Sequence, residues 1–132
     1  MDQIQEALEG ALEARGHAHV PYSHFPVGAA AKISGLEEIV YGCNVENASF
    51  GATVCAERNA IFSAVARHGK VAFDFLMVLT DASPPAVPCA LCLQVMAEFC
   101  DPEMPIHLAT PQGVQRTVLL KDLLPEPFTA FD

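Results

Sequence analysis

Two cysteine-bearing segments constrain this chain more than anything else in it: Cys55-Ala56-Glu57 and, 34 residues later, Pro88-Cys89-Ala90-Leu91-Cys92. Each stands where an apolar pattern of helical spacing begins, through Ala56, Ala60, Ile61, Ala64 and Val65 in the first case and Leu93, Val95, Met96 and Phe99 in the second. A Cys-x-x-Cys turn at a helix start brings two sulfurs to one metal ion. A third cysteine from another helix start makes three protein ligands and leaves the fourth position of a zinc ion open for water. The chain must therefore carry two helix N-termini to one point.

Glu57 lies two residues past Cys55, near enough to reach water at such an ion without being a ligand, which is where a proton shuttle belongs. Three thiolates over-compensate a divalent cation. Two helix N-termini and Arg58, next to Glu57, supply positive charge against that excess. Two other readings of the cysteines stay open at this level. Cys89 and Cys92 form a redox pair in one, and in the other a closed structural zinc site recruits Cys43 or a histidine as fourth ligand. Cys43 and Cys100 read as small buried hydrophobes, and His17, His19, His24, His68 and His107 sit in no ligand spacing.

Composition narrows the partners. At 132 residues the chain has material for one core, so residues 1–132 read as one domain, and 52% hydrophobic residues exclude disorder. A net charge of −9 repels a phosphate backbone and an anionic membrane surface, which argues against nucleic-acid and membrane partners. The first ten residues carry no basic cluster followed by an apolar run, and no apolar stretch approaches a membrane span. Five cysteines cannot all pair, so a soluble protein of the reducing cytoplasm is expected.

The first fifteen residues, with Ile4, Leu8, Ala11 and Leu12 among glutamates, predict an amphipathic helix ending near Gly16. An extended loop from His19 to Pro26 leads to a strand from Val27 to Ile33, a turn at Ser34-Gly35 and a second strand from Glu37 to Cys43. Asn44 to Thr53 reads as a loop, with Thr53 as cap for a helix from Cys55 to Arg67. Phe73 to Thr80, almost wholly apolar, predicts a central strand covered on both faces. After a proline-rich loop at Ser83 to Pro88, a helix is expected from Cys89 to Cys100. Strands follow at Pro105 to Ala109 and Gln115 to Leu120 around Pro111-Gln112-Gly113, with a last helical turn at Lys121 to Leu124. This order predicts an α/β fold: a mixed five-stranded sheet flanked by helices in three α/β/α layers.

Several segments in this order resemble one family. Pro21-Tyr22-Ser23-His24-Phe25-Pro26-Val27-Gly28-Ala29-Ala30 is similar to the P-Y-S-x-F-x-V-G-A-A segment of the small, homotetrameric cytidine deaminases of pyrimidine salvage. Gly42-Cys43-Asn44-Val45-Glu46-Asn47-Ala48-Ser49-Phe50-Gly51 resembles their G-C-N-V-E-N-A-S-Y-G, and Leu123-Leu124-Pro125 their late L-L-P. The cysteine segments match the signature of zinc nucleobase deaminases in its all-cysteine form. The resemblance implies a cytidine deaminase-like fold and zinc on Cys55, Cys89 and Cys92, with Glu57 as catalytic acid and base. It also implies that Asn44 and Glu46 bind the ribose hydroxyls, that Phe25 packs on the pyrimidine and that Ala56 joins the substrate pocket. From the residues alone, Phe25 is open to a plain core role and Asn44 to stabilising a turn.

In that family the site is built partly by neighbouring subunits. The resemblance therefore implies a homotetramer in which Phe50 and Phe128 reach a partner's pocket, with Phe50 lacking the hydroxyl of its tyrosine counterpart. The expected substrates are cytidine and 2′-deoxycytidine, released as uridine or 2′-deoxyuridine and ammonia. One departure stands out: Pro88-Cys89-Ala90-Leu91-Cys92-Leu93-Gln94 replaces P-C-G-x-C-R-Q. Losing that arginine leaves Arg58 as the local counter-charge, and Ala90, Leu91 and Leu93 are expected to alter the pocket wall, with broader acceptance of N4-substituted cytidines. A deaminase of an aminoacyl cytosine-nucleoside antibiotic and a non-catalytic zinc-bearing nucleoside-binding module are the alternative functions.

Overall fold

The computed structural model describes residues 2–131, so Met1 of the expected first helix lies outside the described residues. Helix α1 spans Gln3–Arg15, where the Asp2 carboxylate accepts from the Gln5 amide at 2.9 Å and caps the first turn. Strands β1 (Gly28–Ile33) and β2 (Ile39–Cys43) form the expected hairpin. Helix α2 (Ala56–His68), strand β3 (Phe73–Leu79) and helix α3 (Ala90–Phe99) follow. Strands β4 (Pro105–Thr110) and β5 (Gly113–Leu119) and the short helix α4 (Leu120–Leu123) complete the order. Gly113, at φ 127°, starts β5 two residues earlier than expected, because Thr110 and Gly113 pair directly across the turn.

The sheet runs β2-β1-β3-β4-β5, with β3 and β4 parallel and every other pair antiparallel. It is the mixed five-stranded sheet the sequence predicts. Alternation along the strands divides the core into two layers. Ala29, Ala31, Leu76, Val78, Ile106 and Leu108 face α2 and α3, whereas Ala30, Phe75, Met77 and Leu79 face α1. β1 and β3 are buried on both faces, which explains why Phe73 to Leu79 reads as an unbroken apolar run. Lys32 is buried at the hairpin end, its ammonium donating to the carbonyls of Ile33 and Leu36 and facing Asp74 at 3.3 Å.

Two departures from the sequence reading bear on the site. The loop after β2 is not wholly irregular: it holds a 3-10 turn at Phe50–Ala52 and an antiparallel bridge between Val45 and Val54. Thr53 does not cap α2. Cys55 occupies the cap position, Thr53 ends the 3-10 turn with its amide donating to the Phe50 carbonyl, and its hydroxyl has no partner among the described residues.

Close backbone approach fixes where α2 begins. A Cβ on Gly42 would stand 2.4 Å from the Ala56 carbonyl oxygen and 2.6 Å from the Ala60 nitrogen, so β2 and α2 touch main chain to main chain. Gly42→Ala must push the Cys55 end of α2 off the sheet. We expect it to destabilise the fold by about 1–3 kcal/mol in denaturant unfolding. Gly51→Ala, with nothing within 4 Å of its added Cβ, leaves the midpoint unchanged. Equal midpoints for the two variants would contradict this packing.

Candidate active site

Cys55 and Cys89 occupy equivalent places at two helix starts. Each is the N-cap of its helix in extended backbone (φ −71°, ψ 159° and φ −73°, ψ 167°), and neither side chain caps an amide. Both thiols are thus free to turn toward a shared point in front of two helix N-termini. Cys92, three residues past Cys89, comes round on the first turn of α3 to the same place. The sulfurs of Cys55 and Cys89 are 3.8 Å apart and those of Cys89 and Cys92 3.5 Å, with all three within 4.8 Å of one another.

This donor set fits zinc. Sulfurs about 2.3 Å from a tetrahedral ion lie about 3.8 Å from each other, and zinc prefers thiolates. Among the described residues, no histidine, carboxylate or fourth cysteine joins the cluster. Cys43 and Cys100 stand apart, half-buried, with burial raising both thiols, Cys100 to about 12. The closed four-ligand reading gains no support from this geometry, and a third sulfur beside the Cys-x-x-Cys pair is foreign to a simple redox pair.

The electrostatics follow from the helix starts and one cation. The Arg58 guanidinium donates to the Cys55 sulfur at 3.5 Å and to the Thr53 carbonyl at 3.4 Å. Hydrogen bonding with Cys92 draws the Cys55 thiol down to about 5, and Arg58 adds to the pull. The same contact, with burial, pushes Cys92 up. Glu57, only 4% exposed in the first turn of α2, is held up at about 7 by burial first and then by the negative charge at Cys55.

A cavity of about 330 Å³ opens in front of this cluster, with Cys55, Cys89, Ala56 and Glu57 at one end. Asn44, Glu46, Phe25 and Phe50 line its other walls. Asn44 is 8% exposed and spans the loop before β1, accepting from the Val27 amide and donating to the Phe25 carbonyl, both at 2.9 Å. Beside it His24 adopts φ 57°, a left-handed turn that precedes Phe25. Glu46 is 3% exposed and accepts from the amides of Tyr22 and Ser23 at 3.1 Å and from the Ser23 hydroxyl. Desolvation opposes its ionisation, but the Ser23 hydroxyl and the two amides outweigh it and lower its pKa.

Other expected residues are elsewhere. Phe128 does not line the cavity of its own chain: Gln94 on α3 grips its backbone, donating to the Phe128 carbonyl at 2.6 Å and accepting from its amide at 3.2 Å. Ala90, Leu91 and Leu93 do not form the cavity wall either. Leu93 is 7% exposed and packs in the core with Cys92 and Met96, while Ala90 and Leu91 face outward from α3. The expectation that they reshape the pocket is corrected by the phase of α3, from whose start only the N-cap Cys89 lines the cavity. The wall instead takes in Val78 and Thr80 from the end of β3 and Ala86 and Val87 from the next loop, which the sequence reading did not single out. The end of a central strand is the signal that could have found the first two.

Residues 1–108 match the family model for the cytidine and deoxycytidylate deaminase zinc-binding region. Among curated relatives, the cytidine deaminase of Sporosarcina psychrophila is 42% identical over 130 residues, 98% of this chain and 93% of that protein. That of Halalkalibacterium halodurans is 41% identical over 128 residues, 97% of this chain and 96% of the relative. The crystal structure of cytidine deaminase from Burkholderia pseudomallei superposes with a TM-score of 0.88 at 40% identity, covering 97% of this chain and all of the other. That from Mycobacterium tuberculosis gives 0.82 at 34% identity, covering 98% and 100%. With three sulfurs clustered at the edge of a cavity that a buried carboxylate lines, and relatives matched along nearly the full chain, this protein belongs to the zinc-binding cytidine and deoxycytidylate deaminase family.

Proposed function

We propose that this chain is a zinc-dependent hydrolase that converts cytidine and 2′-deoxycytidine to uridine and 2′-deoxyuridine with release of ammonia. The observation that carries this reading is one cavity lined by Cys55, Cys89 and buried Glu57 together with the polar pair Asn44 and Glu46, with the Cys92 sulfur buried behind Cys55 and Cys89 in the same cluster. In this reading Cys55, Cys89 and Cys92 hold the ion, and zinc, when bound, acidifies water at its open position.

The chain's own residues do the rest. Glu57 takes a proton from the attacking water as a C4–O bond forms and delivers it to N3 of the ring; it then takes the remaining proton of the new C4 hydroxyl and passes it to the amine, so that the C4=O bond forms as the C4–N4 bond breaks and ammonia leaves. Burial favours such a shuttle, because a desolvated carboxyl takes up a proton more readily than an exposed one. Arg58 balances the excess charge of three thiolates. Phe25 packs on the pyrimidine, Ala56 closes the pocket beside it, and Asn44 and Glu46 take the sugar hydroxyls. Glu46 keeps one acceptor position on its second oxygen after the contacts from Tyr22 and Ser23. A buried carboxylate there and a net charge of −9 favour a neutral nucleoside over a nucleotide.

We further read the protein as a homotetramer of the cytoplasm acting in pyrimidine salvage. Exposed Phe50, Phe62, Leu91 and Phe128 support packing against further copies, and five free cysteines suit a reducing compartment. Phe128 then serves a neighbour's pocket, and Phe50, which also lines the cavity of its own chain, reaches the neighbour's from there. Light scattering of the purified protein is expected to give four subunits; a monomer at assay concentration would refute this part.

Two further outcomes test the site. Metal analysis should find one zinc per chain, lost in Cys55→Ala, Cys89→Ala and Cys92→Ala but kept in Cys43→Ala and Cys100→Ala. Zinc retained at full occupancy without Cys55 would overturn the ligand set. Glu57→Gln should keep zinc yet lose cytidine turnover by about 10²- to 10⁴-fold, followed by the fall in absorbance on deamination. Near-normal turnover in that variant would remove Glu57 from the mechanism.

A further inference from the structure

The antiparallel bridge after β2 gives Thr53 a position that its sequence does not suggest. Val45 and Val54 exchange both backbone hydrogen bonds, at 3.0 and 3.1 Å, so Glu46 lies opposite Thr53 and Asn44 opposite Cys55. Side chains alternate along paired strands and opposite residues share a face. Val45 accordingly points outward, 45% exposed, while Asn44, Glu46, Thr53 and Cys55 all line the cavity.

The backbone of Thr53 is committed on both sides, its amide to the Phe50 carbonyl at 3.0 Å and its carbonyl to Arg58. Its hydroxyl is buried and has no partner, the one orphaned hydroxyl among the described residues. It bonds to none of the three sulfurs, so it does not serve the metal cluster. A buried polar atom without a partner is rare in a native fold, and Thr53 is among the residues that line the cavity, where a change of χ1 rotamer turns the enclosed hydroxyl toward the open space. Two residues along an extended strand separate it from Cys55 by roughly 6.6 Å, away from the reacting end and level with Glu46.

We propose that the Thr53 hydroxyl contacts substrate, hydrogen-bonding the 2′,3′-hydroxyls of a nucleoside held against Asn44 and Glu46; this rests on the nucleoside reading given above. Asn44 retains one donor and one acceptor position after fixing Val27 and Phe25, and Glu46 one acceptor. The two donors of a vicinal diol match those two acceptor positions, but its several acceptor positions face only the single remaining donor of Asn44. Thr53 adds both a donor and an acceptor from the facing strand.

The test compares Thr53→Val and Thr53→Ser with the wild type on cytidine and on 2′,3′-dideoxycytidine. Thr53→Val keeps shape and removes the hydroxyl; it is expected to lower kcat/KM for cytidine about tenfold, the effect of one ordinary hydrogen bond. Its rate on dideoxycytidine stays that of the wild type, and Thr53→Ser restores cytidine turnover. The unfolding midpoint of Thr53→Val does not fall, because no protein contact is lost. Wild-type kcat/KM for cytidine in Thr53→Val, or an equal loss on both substrates, overturns the role of Thr53 alone. A wild-type chain that does not deaminate cytidine overturns the reading of the whole site with it.

Discussion

Three sulfurs within 4.8 Å of one another are the constraint on which the rest of this structure depends. They come from two helices, and each helix start has to be aimed at the same point before any chemistry is possible. The sheet does the aiming. β1 pairs with both β2 and β3, and the loops leaving β2 and β3 deliver Cys55 and Cys89 to the same side of the sheet. Main-chain contact between Gly42 and the start of α2 removes the slack that a larger residue would introduce. Helix dipoles then face the thiols without added side chains, and among the described residues Arg58 supplies the one local cation that reaches a sulfur.

The same architecture explains why the site is half dry and half polar. Glu57 is in the first turn of α2, tucked against the buried face of the sheet, where desolvation favours its protonated form. Glu46, equally buried, is instead ringed by donors from the Tyr22–Ser23 turn and favours the ionised form. Two glutamates eleven residues apart are thus pushed in opposite directions by their surroundings, one toward proton traffic and the other toward accepting hydroxyls.

Much of this was legible in the sequence, and the reasons are local. Cys89 and Cys92 are three apart on one helix, Cys55 begins another, and Glu57 follows at a fixed offset, so short-range spacing carries the metal site. The order of elements along the chain and the central place of β3 were legible because β3 is apolar on both faces and the flanking turns hold Gly and Pro. Long-range register was not. Thr53 reads as a helix cap from its distance to α2, yet the single bridge between Val45 and Val54 turns it toward the cavity. Leu93 reads as a change beside the zinc, yet helical phase places it in the core. Thr80 and Val78 enter the wall only because β3 ends beneath the cavity, a consequence of sheet register that no local pattern announces.

The central claim is that one ion meets three sulfurs from two helix starts and keeps one position for the reaction. X-ray absorption at the zinc edge of the purified protein tests it most directly. The account predicts three sulfurs at about 2.3 Å and one light oxygen or nitrogen neighbour at about 2.0 Å. A shell of four sulfurs, a histidine-rich shell or a protein that takes up no zinc would contradict it.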